Sequence, residues 1–298
     1  MIHENILNYK KARYFTVTIV LLVACVALYV SQGGSQPANG GTWQGYILGT
    51  IAALLIVWLA ALGKRKRNYK TGTATVRAWV SAHVYLGSGL LVVATLHCAA
   101  QFGYNIHTLA YLLMCLVIAS GFFGIYSYLV YPRLQAKNRT NSSREVLFVE
   151  LNGLNDSVRK LSKLCEPDIR AVIESAIDRT NIGGGVVTQL LARDDSKMLS
   201  IADGVNVSTA SVMVSNSNQQ AVIEYVADRI PRCRKPQEAA RLQDLLSMLC
   251  RRQNLLRTIR RDIQLQGWMK IWLYIHVPLT IALLFALTAH IVAVFFYW

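Results

Sequence analysis

The chain has 298 residues, 53% of them hydrophobic, with 31 Lys+Arg against 16 Asp+Glu and a formal net charge of +15 at pH 7. Every charged side chain lies within 1–13, 64–77 or 133–270, so the windows 14–63, 78–132 and 271–298 hold no Asp, Glu, Lys or Arg. A water-soluble fold needs charge on its surface, and uncharged stretches of this length exclude one for these windows.

A bilayer core about 30 Å thick takes roughly 20 apolar residues per helix. The windows therefore predict an all-α membrane protein with five spans, at 14–32, 43–63, 78–101, 107–131 and 270–297. Residues 1–13 form an N-terminal tail, 14–132 carry spans 1 to 4, 133–269 an insert, and 270–298 span 5. Tyr14–Val30 reads as an uncleaved first span rather than a signal peptide. The uncharged SQGGSQPANGG (31–41) joins spans 1 and 2, the basic KRKRNYK (64–70) spans 2 and 3, and the uncharged QFGYNI (101–106) spans 3 and 4. All the positive charge then falls on one face. The positive-inside rule places the N-terminus, KRKRNYK and the insert in the cytoplasm, and the C-terminus beyond the inner (plasma) membrane. Trp43, Trp79, Tyr131, Trp268, Trp272 and Trp298 fall near span ends, where interfacial aromatics belong. Orientation and contact with membrane lipid account for the basic excess, and no recognition motif with interleaved aromatics points to nucleic acid.

The insert mixes both signs of charge, as a soluble domain does, and reads as a mixed α/β or mainly α unit. Residues 145–164 and 167–177 have helical apolar spacing, whereas 181–208 reads as turns and short strands. Gly183–Gly185 lacks a following GK[ST] or a GxGxxG register and reads as a flexible turn. Leu242, Leu245, Leu249, Leu256, Ile259 and Ile263 recur at helical spacing among Arg251, Arg252, Arg257, Arg260 and Arg261. The expectation is a basic amphipathic helix whose arginines face water and lipid phosphate, with Gly267–Trp268 marking a bend before span 5. None of the six cysteines stands in a CxxC pair, which removes covalent c-type haem and the usual iron–sulfur and zinc spacings.

Four of the six histidines form a pattern. His83 and His97 lie on span 3, His276 and His290 on span 5, each pair fourteen residues apart. At ~100° and ~1.5 Å per residue, each pair shares nearly one helix face and is separated by roughly 21 Å. Spans 3 and 5 run parallel, so His83 is level with His276 on the inner side and His97 with His290 on the outer side. Two facing imidazoles supply both axial ligands of a haem iron, and two such pairs predict two stacked b-type haems in a four-helix core. Gly87 and Gly89 on span 3, and Gly121 and Gly124 on span 4, would let a flat macrocycle approach, although ordinary helix packing explains any one of them as well. Pro278 beside His276 frees a backbone carbonyl. Lys70, Arg77 and Arg133 are the nearest cations for inner propionates, whereas Tyr104, Asn105 and His107 are the outer polar candidates. His107, at the outer start of span 4, is expected to contact a haem propionate or interfacial water in preference to ligating iron, and His3 stands apart in the tail.

The doubled H-x13-H in AWVSAHVYLGSGLLVVATLH and YIHVPLTIALLFALTAHIVAVFFY resembles the dihaem core of cytochrome b in quinol–cytochrome c reductases. It also resembles the transmembrane domain of ferric reductases and NADPH oxidases. The resemblance covers spans 3 to 5. It implies that His83, His97, His276 and His290 are axial ligands of two haem b groups in an electron-transfer subunit of a larger respiratory or photosynthetic complex. Quinone is a candidate exchange partner, and a c-type cytochrome or iron–sulfur protein is the expected partner on the outer face. The chain departs from both patterns in its insert and in lacking a PEWY-like motif. The alternative is a haem-free, histidine-lined transporter or a membrane sensor signalling through the insert.

Overall fold

The computed structural model describes residues 9–32, 39–63, 75–140, 142–201 and 211–297. His3, most of the SQGGSQPANGG turn, KRKRNYK with Lys70, and Trp298 lie outside the described residues. The helices α1 (Arg13–Val30), α2 (Trp43–Ala60), α3 (Val76–Cys98) and α4 (Ile106–Asn138) come first. They are followed by α5 (Arg144–Ser162), α6 (Pro167–Asp178) and the single turn α7 (Val186–Leu190). Strands β1 (Lys197–Ile201) and β2 (Ser211–Ser215), then α8 (Gln220–Ala227) and α9 (Pro236–Tyr297), complete the chain. Five helices, α1 to α4 and α9, are long and apolar enough to cross a membrane. The protein is thus a helical, multi-pass membrane protein. It divides into two compact units, one of residues 1–125 and 272–298, the other of residues 126–271.

In the first unit, α3 packs against both α1 and α2. Thr42 and Thr75 cap α2 and α3 by accepting from the Gly45 and Ala78 backbone N–H groups. Leu48, Ile56, Leu90, Val93 and Met114 lie at the centre of the shared apolar core. The approach of α1 to α3 is close at Gly89, where an added Cβ would come within 2.7 Å of Thr18 Cγ2. Gly89 is therefore explained by helix packing.

The second unit has an interior of its own, in which Val158, Ile169, Ile173, Val222, Leu245 and Leu249 join α5, α6, α8 and the first part of α9. The strands pair antiparallel from Lys197 opposite Ser215 to Ile201 opposite Ser211. This is a mainly α unit with one hairpin. Of residues 181–208, expected to be turns and strands, 202–208 lie outside the described residues; the rest holds β1 and also the turn of helix α7, and Gly184 supplies a backbone φ of +112° just before it.

One expectation about the basic helix needs correction. α9 runs from Pro236 to Tyr297 as one helix, so Gly267–Trp268 does not end it. Gly267 makes room for α7: a Cβ there would meet Leu190 Cδ2 at 3.1 Å. The arginines are not a uniform solvated belt. Arg251, Arg257 and Arg261 are exposed, but Arg252 and Arg260 are buried. Arg260 pairs with Asp194 at 2.8 Å. Arg252 is held by the neutral side chains of Asn155, Gln219 and Thr180. Burial, then the neighbouring Arg260 and Arg159 charges, push its pKa down to about 10. Apolar spacing located the buried face of the helix but gave no sign that arginines on its margins would be covered by α5, α6 and the hairpin.

Asp262 is the most connected charge of this unit. Its side chain is 1% exposed and takes ion pairs from both Arg139 and Arg144, the latter with Nε at 2.8 Å. Burial alone would raise its carboxyl pKa, but the hydrogen bonds from Arg139 and Arg144 outweigh burial and hold it below the ordinary value. A carboxyl depressed in this way stabilises the fold above its unfolded pKa of ~3.9, and the contribution disappears as pH falls through the folded value. Removing one partner of a buried ion pair costs roughly 3–5 kcal/mol, and the partly exposed arginines place Asp262→Asn near the lower end. Denaturant melts should show that loss at pH 7 and a flatter acid limb. An unchanged midpoint at pH 7 would contradict this account.

Candidate functional site

The four paired histidines converge as their register requires. The ring centres of His83 and His276 lie 6.4 Å apart, and those of His97 and His290 lie 6.3 Å apart. A metal–imidazole bond is about 2 Å long and the bonded nitrogen lies ~1.1 Å from its ring centre, so two imidazoles on opposite sides of one metal ion place their centres ~6.2 Å apart. Both pairs match that distance.

The hydrogen bonds decide which nitrogen each ring presents. His97 Nδ1 lies 2.8 Å from the Gly45 carbonyl oxygen on α2. A carbonyl only accepts, so this nitrogen carries the proton and Nε2 keeps its lone pair. Ser120 Oγ on α4 donates to the Val117 carbonyl at 2.7 Å and lies 2.8 Å from His276 Nδ1. Its one proton is committed to Val117, so the hydroxyl accepts from His276 Nδ1–H, and His276 also presents Nε2. Such outer hydrogen bonds fix the ring orientation of metal-binding histidines. His83 differs: among the described residues, no hydrogen-bond partner lies against its buried Nδ1.

The surroundings of the rings are tight. A Cβ on Gly49 of α2 would come within 2.7 Å of the His97 ring, so only glycine admits the imidazole there. Gly121 lies beside His276, where a Cβ would be 3.6 Å from Cε1. The Trp272 indole fills the space over Gly124, with its ring centre 5.4 Å from that of His276.

Other sequence candidates fall elsewhere. Gly87 faces Leu59 of α2, where an added Cβ would lie 3.9 Å from Cδ1. Arg77 is exposed in the first turn of α3, six residues and about 9 Å of helix rise from His83. Tyr104 is fully exposed, and Asn105 accepts from the Thr108 backbone N–H in the turn before α4. Arg133 belongs to the second unit, and its side chain is exposed. Sequence reasoning did not find Ser120, Gly45 or Gly49. Each lies on a helix without a paired histidine, and no spacing rule links them to His276 or His97.

His107 lies closer in than expected. Its ring centre is 5.5 Å from that of His97 and 5.0 Å from that of His290, and one nitrogen from each of the three rings falls within 4.8 Å of the others. By the median of that triangle, His107 lies about 4 Å from the midpoint of the His97–His290 line and almost in the plane perpendicular to it. A macrocycle centred at that midpoint would meet the His107 ring. The pair separations and fixed tautomers fit two bis-imidazole sites, but the outer one admits a macrocycle only after His107 turns aside. Side-chain rotation of that kind takes ps to ns where the ring is free to move. Without it, the same three imidazoles suit a single metal ion.

Compared with known protein families, with curated proteins and with solved structures, the chain finds no match.

The role of Gly49 is directly testable. Gly49→Ala should displace the His97 ring from Gly45 and destabilise the first unit by ~1–3 kcal/mol, the usual cost of overpacking. Gly63→Ala has nothing within 4 Å and serves as the control. Thermal melts in detergent should separate them, and equal melting of both variants would refute the close fit.

Proposed function

We propose that the protein is an electron-relay subunit of a membrane redox complex, holding one b-type haem between His83 and His276 and a second between His97 and His290. The observation that carries this reading is the pair geometry, with both ring separations suited to two imidazoles on one metal ion and two of the four tautomers fixed so that Nε2 is presented. Haem supplies a reversible one-electron change at each site. The chain's own residues position that chemistry: Ser120 and the Gly45 carbonyl hold the ring orientations, and Gly49 and Gly121 give the imidazoles room. Fourteen residues of α3 and of α9 separate the two levels by roughly 21 Å, giving two stepping points across an apolar layer about 30 Å thick.

In this reading the insert faces the cytoplasm of a cell bounded by its inner (plasma) membrane, as the one-sided basic charge favours. The face bearing the short loops has no Asp, Glu, Lys or Arg, so a c-type cytochrome or iron–sulfur partner there would dock through neutral and apolar contacts. Quinone exchange at one haem edge is a compatible extension. Its protons would have to pass through tyrosine or histidine, because the charge-free windows contain no carboxylate.

A second reading rests on His107. If its ring keeps its place, the outer site is a three-histidine metal centre and only the inner pair holds haem. Pyridine haemochrome and metal analysis of the purified chain distinguish the two. Two haems b per chain are expected, falling to one in His83→Ala and in His97→Ala. One haem with one non-haem metal ion would favour the second reading. A purified protein without a reduced α-band would overturn both and leave the histidine-lined transporter or sensor.

A further inference from the structure

Apart from the histidines, the second unit exposes an apolar feature that its own packing leaves uncovered. Val186, Val187 and Leu191 are 67%, 69% and 64% exposed, clustered on one helical turn and its end, directly after Gly183–Gly185. Scattered exposed aliphatics are ordinary, whereas three on one turn call for an occupant.

The attachment of this turn to α9 indicates which. The Leu190 carbonyl accepts from Gln264 Nε2 at 2.9 Å and from Trp268 Nε1 at 3.2 Å, and the Leu190 side chain packs over Gly267. Lys270 is the last charged residue of the chain, and from Ile271 onwards α9 carries none. At ~1.5 Å per residue, Trp268 is about 5 Å and Gln264 about 10 Å from the start of that charge-free run. Tryptophan favours the headgroup layer, with its ring in the apolar boundary and its N–H bonded. The exposed cations Arg261 and Lys270 flank the same stretch, matching lipid phosphate. Short apolar segments bordered by basic residues enter this layer by about 5–10 Å.

We propose that Gly183–Leu191 is a membrane-surface anchor, whose Val186, Val187 and Leu191 side chains enter the interfacial layer of an anionic phospholipid bilayer beside Trp268. The anchor ties the second unit to the lipid surface at a point other than its helical connections. It does not depend on what the histidines hold.

Photo-crosslinking of the full chain in phosphatidylcholine–phosphatidylglycerol nanodiscs tests this. A benzophenone amino acid placed at position 187 or 191 is expected to yield lipid adducts. Position 149 is the control. Val149 is equally exposed, at 71%, but its neighbour Glu150 pairs with Arg251, twenty residues and about 30 Å of helix before Ile271. Adducts at 187 and 191 but not at 149 support the proposal, and Trp268→Ala, which removes one of the two anchoring hydrogen bonds, should reduce them severalfold. Crosslinks to protein, equal adducts at 149, or none at 187 and 191 would overturn it. Tryptic protection of the rest of residues 126–271 reports whether each variant is folded.

Discussion

An apolar layer offers no hydrogen-bond partner to a polar group placed inside it, and the first unit is organised by that constraint. Several of its hydroxyls bond back to their own helices: Thr18 to Tyr14, Ser88 to Val84, Thr280 to His276 and Thr288 to Leu284. Satisfied locally, these four carry no information between helices. Links that do cross helices include His97 to Gly45, His276 to Ser120 and Thr95 to Tyr111. Intramembrane polar groups of this kind are costly, so those that bind across helices mark the working parts of the unit.

The second unit meets the opposite condition. Its sequence carries both signs of charge, and it buries some of that charge. Asp262 receives Arg139 and Arg144, Arg260 meets Asp194, and Arg252 is held by three neutral side chains. Each pairing brings together residues distant in sequence. Breaking one leaves an uncompensated buried charge, so these contacts specify the arrangement of α5, α6 and the hairpin more than they add net stability. One helix, α9, serves both conditions: buried arginines and Asp262 precede Lys270, and charge-free sequence carrying His276 and His290 follows it.

The spans were legible because exclusion of charge from lipid acts on each residue separately and needs no partner. The histidine pairing was legible because helix geometry is fixed: fourteen residues return to nearly the same face whatever surrounds them. Arg252 and Arg260 were misread because burial depends on what packs over a side chain, and Asn155, Thr180, Asp194 and Gln219, which hold them, come from elsewhere in the chain. The contact of Gly267 with Leu190 was hidden for the same reason.

By itself the sequence determined five apolar helices, charge confined to three segments between and before them, and two levels of histidine, all consequences of local composition and helical repeat. Only the tertiary structure decided which nitrogen two of the imidazoles present, through Gly45 and Ser120, and where His107 lies relative to the outer pair. The physical reason is that tautomer and clearance are set by atoms on neighbouring helices. The spacing along one helix says nothing about the side chains another helix brings against it.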